Sequence, residues 1–345
     1  MQKLNKRVRF LAEVAVFFLL ILIGLWLWQG VYLAQQTIFQ SHEFLITKGE
    51  GFLGIAKHLE DSKLIKSRLF FEIYGLTTGK YRKIQPGKYE LSPSFSVAET
   101  LDKMARGEFL KEKIRILEGA TIKDIAAQLK EKELLGADDF ITTTITEDFS
   151  DRFQFLSDKP KSQGLEGYIF PDTYDIRYDD SAEEIVLKAL GNFDRKFTQE
   201  LRQKIDSQQK TYFEIITMAS ILEKEAMLYP DKQIVAGILW KRIEQDWPLQ
   251  VDATLTYVTG RYSMELTLKD LATSSPYNTY KYKGLPEGPI CNPGVDSIKA
   301  AIDYKKTAYW YYMSKPDGKM VFSKTLAEHN LNKETYWRSR LDNHE

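Results

Sequence analysis

An uninterrupted apolar run, Val14 to Trp28, constrains this chain more than any other feature of its 345 residues. Continued by Gln29, Gly30, Val31, Tyr32, Leu33 and Ala34, it reaches about 20 residues, the length an α-helix needs to cross roughly 30 Å of hydrocarbon. A half-exposed soluble helix would show a polar face, and this run has none. A cleaved signal peptide would have a shorter apolar region followed by a small-x-small site, and neither holds. Residues 14–34 therefore read as a retained transmembrane helix. Lys3, Lys6, Arg7 and Arg9 precede it and place residues 1–13 in the cytoplasm by the positive-inside rule, while Trp26, Trp28 and Tyr32 suit an aromatic belt at the far interface. Everything from about residue 40 is then expected outside the cytoplasm, on a single-pass anchor in the cytoplasmic (inner) membrane.

Lys+Arg and Asp+Glu balance at 48 each, so there is no basic excess for nucleic-acid binding by counterion release. The single cysteine, Cys291, cannot form an intramolecular disulfide and carries no compartment signal.

Beyond the polar stretch Gln35 to His42, two segments match at an offset of seventy residues. Ile46, Gly49, Phe52, Ile55, Ala56, Leu59 and Leu64 correspond to Ile116, Gly119, Ile122, Ile125, Ala126, Leu129 and Leu134. Each reads as strand, glycine turn and amphipathic helix, with apolar residues on one helical face. Between them the pattern predicts a helix near Ser67–Leu76, a strand near Tyr89–Leu91 and a helix opened by the capping box Ser96–Glu99. Gly49, Gly51 and Gly54 spell G-x-G-x-x-G, but the second copy replaces the last two with Thr121 and Asp124, so the helix packs without them and a dinucleotide site is rejected. Residues 41–111 resemble a LysM module, a small fold that in many proteins holds peptidoglycan sugars. Residues 112–345 form a larger unit of mixed helices and short strands, with a Pro316-Asp317-Gly318 turn between two aromatic strands. No regular strand–helix alternation demands a parallel sheet, so the fold class is α+β.

His42, His58, His329 and His344 have no metal-ligand spacing, and there is no H-E-x-x-H. No G-x-S-x-G elbow occurs, and S-x-x-K appears only at Ser207–Lys210 in a polar stretch. Neither a metal nor a cofactor is called for. Carboxylates remain, the usual tools for glycosidic bonds. The helix expected over Tyr212–Met227 is apolar around most of its circumference and ends in Glu223, Lys224 and Glu225. Glu223 shares a face with Ile216, Ala219, Ser220, Ala226 and Met227 and has no cation among its helical neighbours, so desolvation is expected to raise its pKa. Periodicity does not separate it from Glu225, whose neighbours Met218, Ile221 and Leu222 are equally apolar.

Met218–Ala226, M-A-S-I-L-E-K-E-A, resembles the signature helix of the endolytic murein transglycosylases of the YceG-like family. Four further blocks follow the same family pattern: Gly164–Tyr174, Leu249–Thr254, Ser275–Tyr280, and Gly284–Pro286 through Asn292–Gly294. The resemblance covers the chain after the anchor. It implies an enzyme, a lytic transglycosylase, with Glu223 as its catalytic acid and base, and points to Glu166, Tyr168, Gln250, Asp252, Thr254, Tyr277 and Asn278 as substrate-binding candidates. It also implies peptidoglycan glycan strands as partner and a link to membrane peptidoglycan synthases. Departures are small: Ala226 stands where many relatives have Thr, and Cys291 lies in the Gly/Pro loop. In the implied reaction one carboxyl protonates the oxygen leaving C1 of N-acetylmuramic acid. As carboxylate it then takes the proton of the sugar's own C6 hydroxyl, which closes a 1,6-anhydro ring and helps to terminate strand elongation. Two alternatives stand beside it: a non-catalytic peptidoglycan-binding scaffold, and a water-using muramidase with Asp252 or Glu225 as the second carboxylate.

Overall fold

The computed structural model describes residues 2–34, 40–261 and 266–341. Residues 35–39 of the polar stretch, and the side chains of Lys3 and Lys6, lie outside that description. Two compact units divide the chain, the first comprising Met1–Glu112 with Ile176–Asp179, the second Lys113–Asp175 with Asp180–Glu345.

Unit 1 begins with helix α1 (Gln2–Tyr32). Within it Arg7–Tyr32 is long and apolar enough to cross a membrane, and Phe17, Leu20 and Leu22 are exposed. A helix satisfies its own backbone polar groups, which is what hydrocarbon requires. There follow β1 (His42–Ile46), α2 (Phe52–Asp61), α3 (Arg68–Thr78), β2 (Gly87–Leu91) and α4 (Val97–Arg106). β1 and β2 pair antiparallel with His42 opposite Leu91, and strand alternation turns Phe44, Ile46, Tyr89 and Leu91 inward. The core closes with Ile55, Ala56 and Leu59 of α2, Phe71 of α3 and Leu101 and Met104 of α4. Gly49 turns the chain into α2 at φ +88°. Ser96 and Glu99 form the reciprocal capping box at the start of α4.

Unit 2 is entered through β3 (Lys111–Arg115) and continues with α5 (Ile122–Glu131), α6 (Ala137–Thr146), β4 (Thr173–Arg177), α7 (Ala182–Lys196) and α8 (Gln199–Ser207). Next come α9 (Tyr212–Glu225), α10 (Tyr229–Glu244), α11 (Asp252–Thr259), α12 (Leu268–Leu271) and α13 (Val295–Ile302). The hairpin β5 (Tyr311–Ser314) and β6 (Met320–Ser323) precedes α14 (Leu326–Leu341). β3 pairs with β4, and β5 with β6, so the described sheets are two-stranded and the chain is a mixed, mainly helical fold. The second repeat copy has the same local form as the first: Gly119 turns at φ +79° and α5 buries Ile122, Ile125, Ala126 and Leu129.

α9 is the axis of unit 2, with every residue from Ile215 to Leu222 buried. Its N-terminus is fixed twice. Thr211 and Glu214 form a capping box, and the Asp158 carboxylate accepts from the Tyr212 and Phe213 amides at 2.5 and 3.2 Å, where the helix dipole favours negative charge. α10 and α13 pack along its sides.

Candidate active site

A helix that is buried all round delivers polar chemistry only where it ends. Glu223 and Glu225 are two residues apart at the C-terminus of α9, about 200° around the axis, so they leave the helix on opposite sides.

Glu223 points into a polar cradle. Its Oε1 accepts from Lys232 Nζ of α10 at 2.9 Å, and both side chains are at most 9% exposed. Its Oε2 accepts from the Gly294 amide at 2.8 Å and from Ser297 Oγ at 2.7 Å, at the N-terminus of α13. Lys232 also donates to Ser297 Oγ at 2.7 Å. The expected cation-free, apolar setting for Glu223 is therefore not found: the missing cation arrives from the next helix, which periodicity within α9 cannot reveal. Above the cradle lies Glu118, so close to Gly294 that a Cβ there would meet Glu118 Oε1 at 1.9 Å. Partial burial, and then the charge of Glu223, raise the pKa of Glu118.

Glu225 faces a different space, a cavity of about 1010 Å³ whose wall includes Asp252, Gln250, Arg242, Tyr280 and Tyr312. Glu223 is not among the residues lining it. Burial pushes the Glu225 carboxyl up to about 7; the Asp252 charge adds to the rise, while a hydrogen bond from Tyr312 and the charge of Arg242 oppose it. Arg242 cannot neutralise it by a bidentate pair, because its guanidinium donates to the carbonyls of Leu249 at 2.5 Å and Trp310 at 2.7 Å. Asp252 is held by a short hydrogen bond from Tyr280 Oη. The cavity thus presents one carboxyl tuned near neutrality, a second carboxylate and three tyrosines, Tyr280, Tyr311 and Tyr312, whose faces and hydroxyls suit a polar ring ligand.

The other sequence-derived candidates divide. Gln250 and Asp252 line the cavity with Glu225. Tyr277 does not line it; its hydroxyl lies 3.4 Å from Gln163 Oε1, and its ring packs tilted against Tyr257 with centroids 5.1 Å apart. Tyr168, Thr254 and Asn278, expected to touch substrate, are each 0% exposed in this structure. Tyr168 sits in an aromatic cluster with Phe155 and Phe193. Thr254 Oγ1 donates to Val251 O at 2.8 Å, and Asn278 Nδ2 ties Leu271 O and Thr273 O at 2.9 and 2.8 Å.

Glu166 is a strut away from the cavity. Its two oxygens each lie 3.2 Å from the Ile122 amide that opens α5, and Asn292 Nδ2 donates to it at 3.0 Å. Burial raises it to about 7 against the Ile122 amide and the Tyr257 hydroxyl. Asn292, 0% exposed, clips three segments, its Oδ1 accepting from Gly167 and Ile169 amides at 3.0 and 2.9 Å and its Nδ2 reaching Ala120 O at 2.9 Å.

Glu118, Lys232, Asn292 and Ser297 were not among the sequence-derived candidates. Two signals could have found the first two. The repeat places Lys48 where the second copy has Glu118, and Lys232 falls on the buried stripe of α10 with Val235, Ala236, Leu239 and Arg242.

Gly167 has φ +91°, and a Cβ there would meet Pro289 at 2.6 Å and Ile216 of α9 at 2.9 Å. Gly167→Ala is expected to lower unfolding free energy by about 1 to 3 kcal/mol or more, from backbone strain and the close approach. Gly191→Ala in α7, with open space around it, is expected to raise it by up to about 1 kcal/mol. Urea titration of the two variants checks the contrast.

Comparison with known proteins bears on a fold in which these blocks converge. A sequence model described as the YceG-like family matches residues 44–335. An endolytic murein transglycosylase of Bacillus subtilis strain 168 is 32% identical over 305 residues, 86% of this chain and 84% of that protein. One from Streptococcus pneumoniae D39 is 28% identical over 324 residues, covering 86% of this chain but 58% of the longer pneumococcal protein. A 2.6 Å crystal structure of a yceG-like protein of Listeria monocytogenes superposes with TM-score 0.59 at 32% identity, over 86% of this chain and 100% of that one. With the family match spanning most of the sequence and the same order of motif blocks gathered around α9, this chain belongs to the YceG-like family.

Proposed function

We propose that this protein is an endolytic murein transglycosylase: it cuts the N-acetylmuramic acid to N-acetylglucosamine bond inside peptidoglycan strands and leaves a 1,6-anhydro end. Family membership and the named activity of its relatives support the reaction. The observation that carries the site is the place of Glu225 in the wall of the cavity with Asp252 and Tyr312, where burial raises its carboxyl to about 7. A carboxyl so tuned is part protonated at neutral pH and can give its proton to the departing glycosidic oxygen. The resulting carboxylate then takes the C6 hydroxyl proton as that oxygen attacks C1. Because the nucleophile is tethered to the reacting carbon, one carboxyl suffices and no water is consumed. Asp252, held by Tyr280, supplies negative charge toward the oxocarbenium-like transition state. The motif resemblance points to Glu223 for the same role. In the reading proposed here that carboxylate, which accepts from Lys232, Ser297 and the Gly294 amide, serves as a brace at the end of α9.

The location and the module are part of this reading. α1 serves as the anchor, with residues 1–13 cytoplasmic, residues 14–34 in the membrane and those from about 40 onward outside, beside the synthases that extend the strands. The strand–helix–helix–strand–helix body of residues 41–111 serves as the sugar-holding LysM-like module, and residues 112–345 as the catalytic domain.

Two tests follow. Mass spectrometry of products from purified strands is expected to show anhydro ends; reducing ends one water heavier would indicate a muramidase, and no cleavage a scaffold. The rate should also fall as pH rises through about 7, since the raised pKa leaves Glu225 protonated below that value. Glu166 has a similar value, but Asp252 raises only Glu225 of the two. Asp252→Asn is therefore expected to move the alkaline limb to lower pH, and an unmoved limb would detach it from Glu225.

A further inference from the structure

We propose that the outward face of α3 lies in the lipid interface, so that unit 1 and its anchor engage the bilayer as one body; this rests on α1 being a membrane span. The last turns of α1 pack on α3. The Trp26 and Phe70 rings meet edge to face at 4.7 Å, Tyr32 and Tyr74 do so at 5.8 Å, and Val31 is 5% exposed within the unit 1 core. Gly30 lies so close to Phe70 that a Cβ would come within 2.4 Å of the ring.

These contacts fix a depth. A crossing of about 20 residues placed anywhere within Arg7–Tyr32 includes Trp26. Trp26 is also about 9 Å along the axis below Tyr32, at 1.5 Å per residue. Phe70, touching Trp26, therefore lies between the membrane boundary and about 9 Å inside it, and α3 rises from there toward Tyr74.

The composition of α3 agrees. At about 100° per residue, Leu69, Ile73 and Leu76 share one stripe, on the side opposite the buried Phe71 and Gly75. Leu69 is 46% and Leu76 56% exposed. A helix face turned away from its core into water is ordinarily polar. This one is apolar because its surroundings are the boundary between headgroups and acyl chains, where amphipathic helices bury their apolar face. The occupant is thus the same bilayer that α1 enters.

The test uses the full chain reconstituted in vesicles of mixed zwitterionic and anionic phospholipid. Leu69→Cys, Ile73→Cys and Leu76→Cys are labelled with a polarity-sensitive fluorophore, and the wild type, whose Cys291 is buried, gives the background. Nitroxide-bearing lipids are expected to quench the label most at 69 and least at 76, and aqueous iodide in the reverse order. Labels that answer only to iodide, or to neither quencher as under a protein partner, overturn the proposal while flotation with the vesicles leaves the anchor standing. Failure to float overturns both.

Discussion

Glu225→Gln is expected to lower formation of anhydro-muropeptides by about 10²- to 10⁴-fold, the usual worth of a positioned general acid–base. The amide is nearly isosteric and can still accept from Tyr312, so the cavity keeps its shape; only the transferable proton is removed. Binding of glycan strands should survive, because Gln250, Asp252 and the tyrosines of the wall are untouched. Unfolding should not be easier, since a buried carboxyl raised to about 7 is an unfavourable ion at neutral pH and a neutral amide relieves that. Loss of turnover with binding and stability retained separates chemistry from folding. A Glu225→Gln protein that still makes anhydro ends at the wild-type rate would return the catalytic role to Glu223.

Much of the frame is legible in the sequence alone. The Ser96–Glu99 capping box, the glycine turns at Gly49 and Gly119, and the buried all-round character of α9 follow from local sequence, because capping, left-handed turns and helical periodicity are decided by residues a few positions apart. What escaped was long-range. The partner of Glu223 is Lys232 on another helix, with Gly294 and Ser297 from a third, at sequence separations of 71 and 74 for the latter two. No pattern within α9 encodes that one glutamate meets an ammonium and the other a tyrosine. Motif blocks likewise mark residues without sorting their work: Leu249–Thr254 contributes Gln250 and Asp252 to the cavity but buries Thr254 as a brace. Tyr168 and Asn278, in two other blocks, are likewise 0% exposed.

Lys232→Met is expected to reduce unfolding free energy by about 3 to 5 kcal/mol, because it strands the Glu223 carboxylate in a site where both partners are at most 9% exposed. Ser297 and the Gly294 amide still donate to the carboxylate, but neither carries charge, and Glu118 close by adds repulsion. Removing the pair together is a different experiment. Buried ion pairs replaced as a unit by groups of similar volume are often neutral in stability, so the double variant Glu223→Gln, Lys232→Met should recover most of the loss in urea titration. Its activity then decides between the two glutamates without the confusion of an unfolded sample. If Glu223 braces the end of α9 and Glu225 does the chemistry, the refolded double variant keeps making anhydro ends within about tenfold of wild type, a change worth about 1.4 kcal/mol in the barrier. A stable double variant that binds strands yet makes no product would mean that the proton comes from Glu223, with Lys232 tuning it.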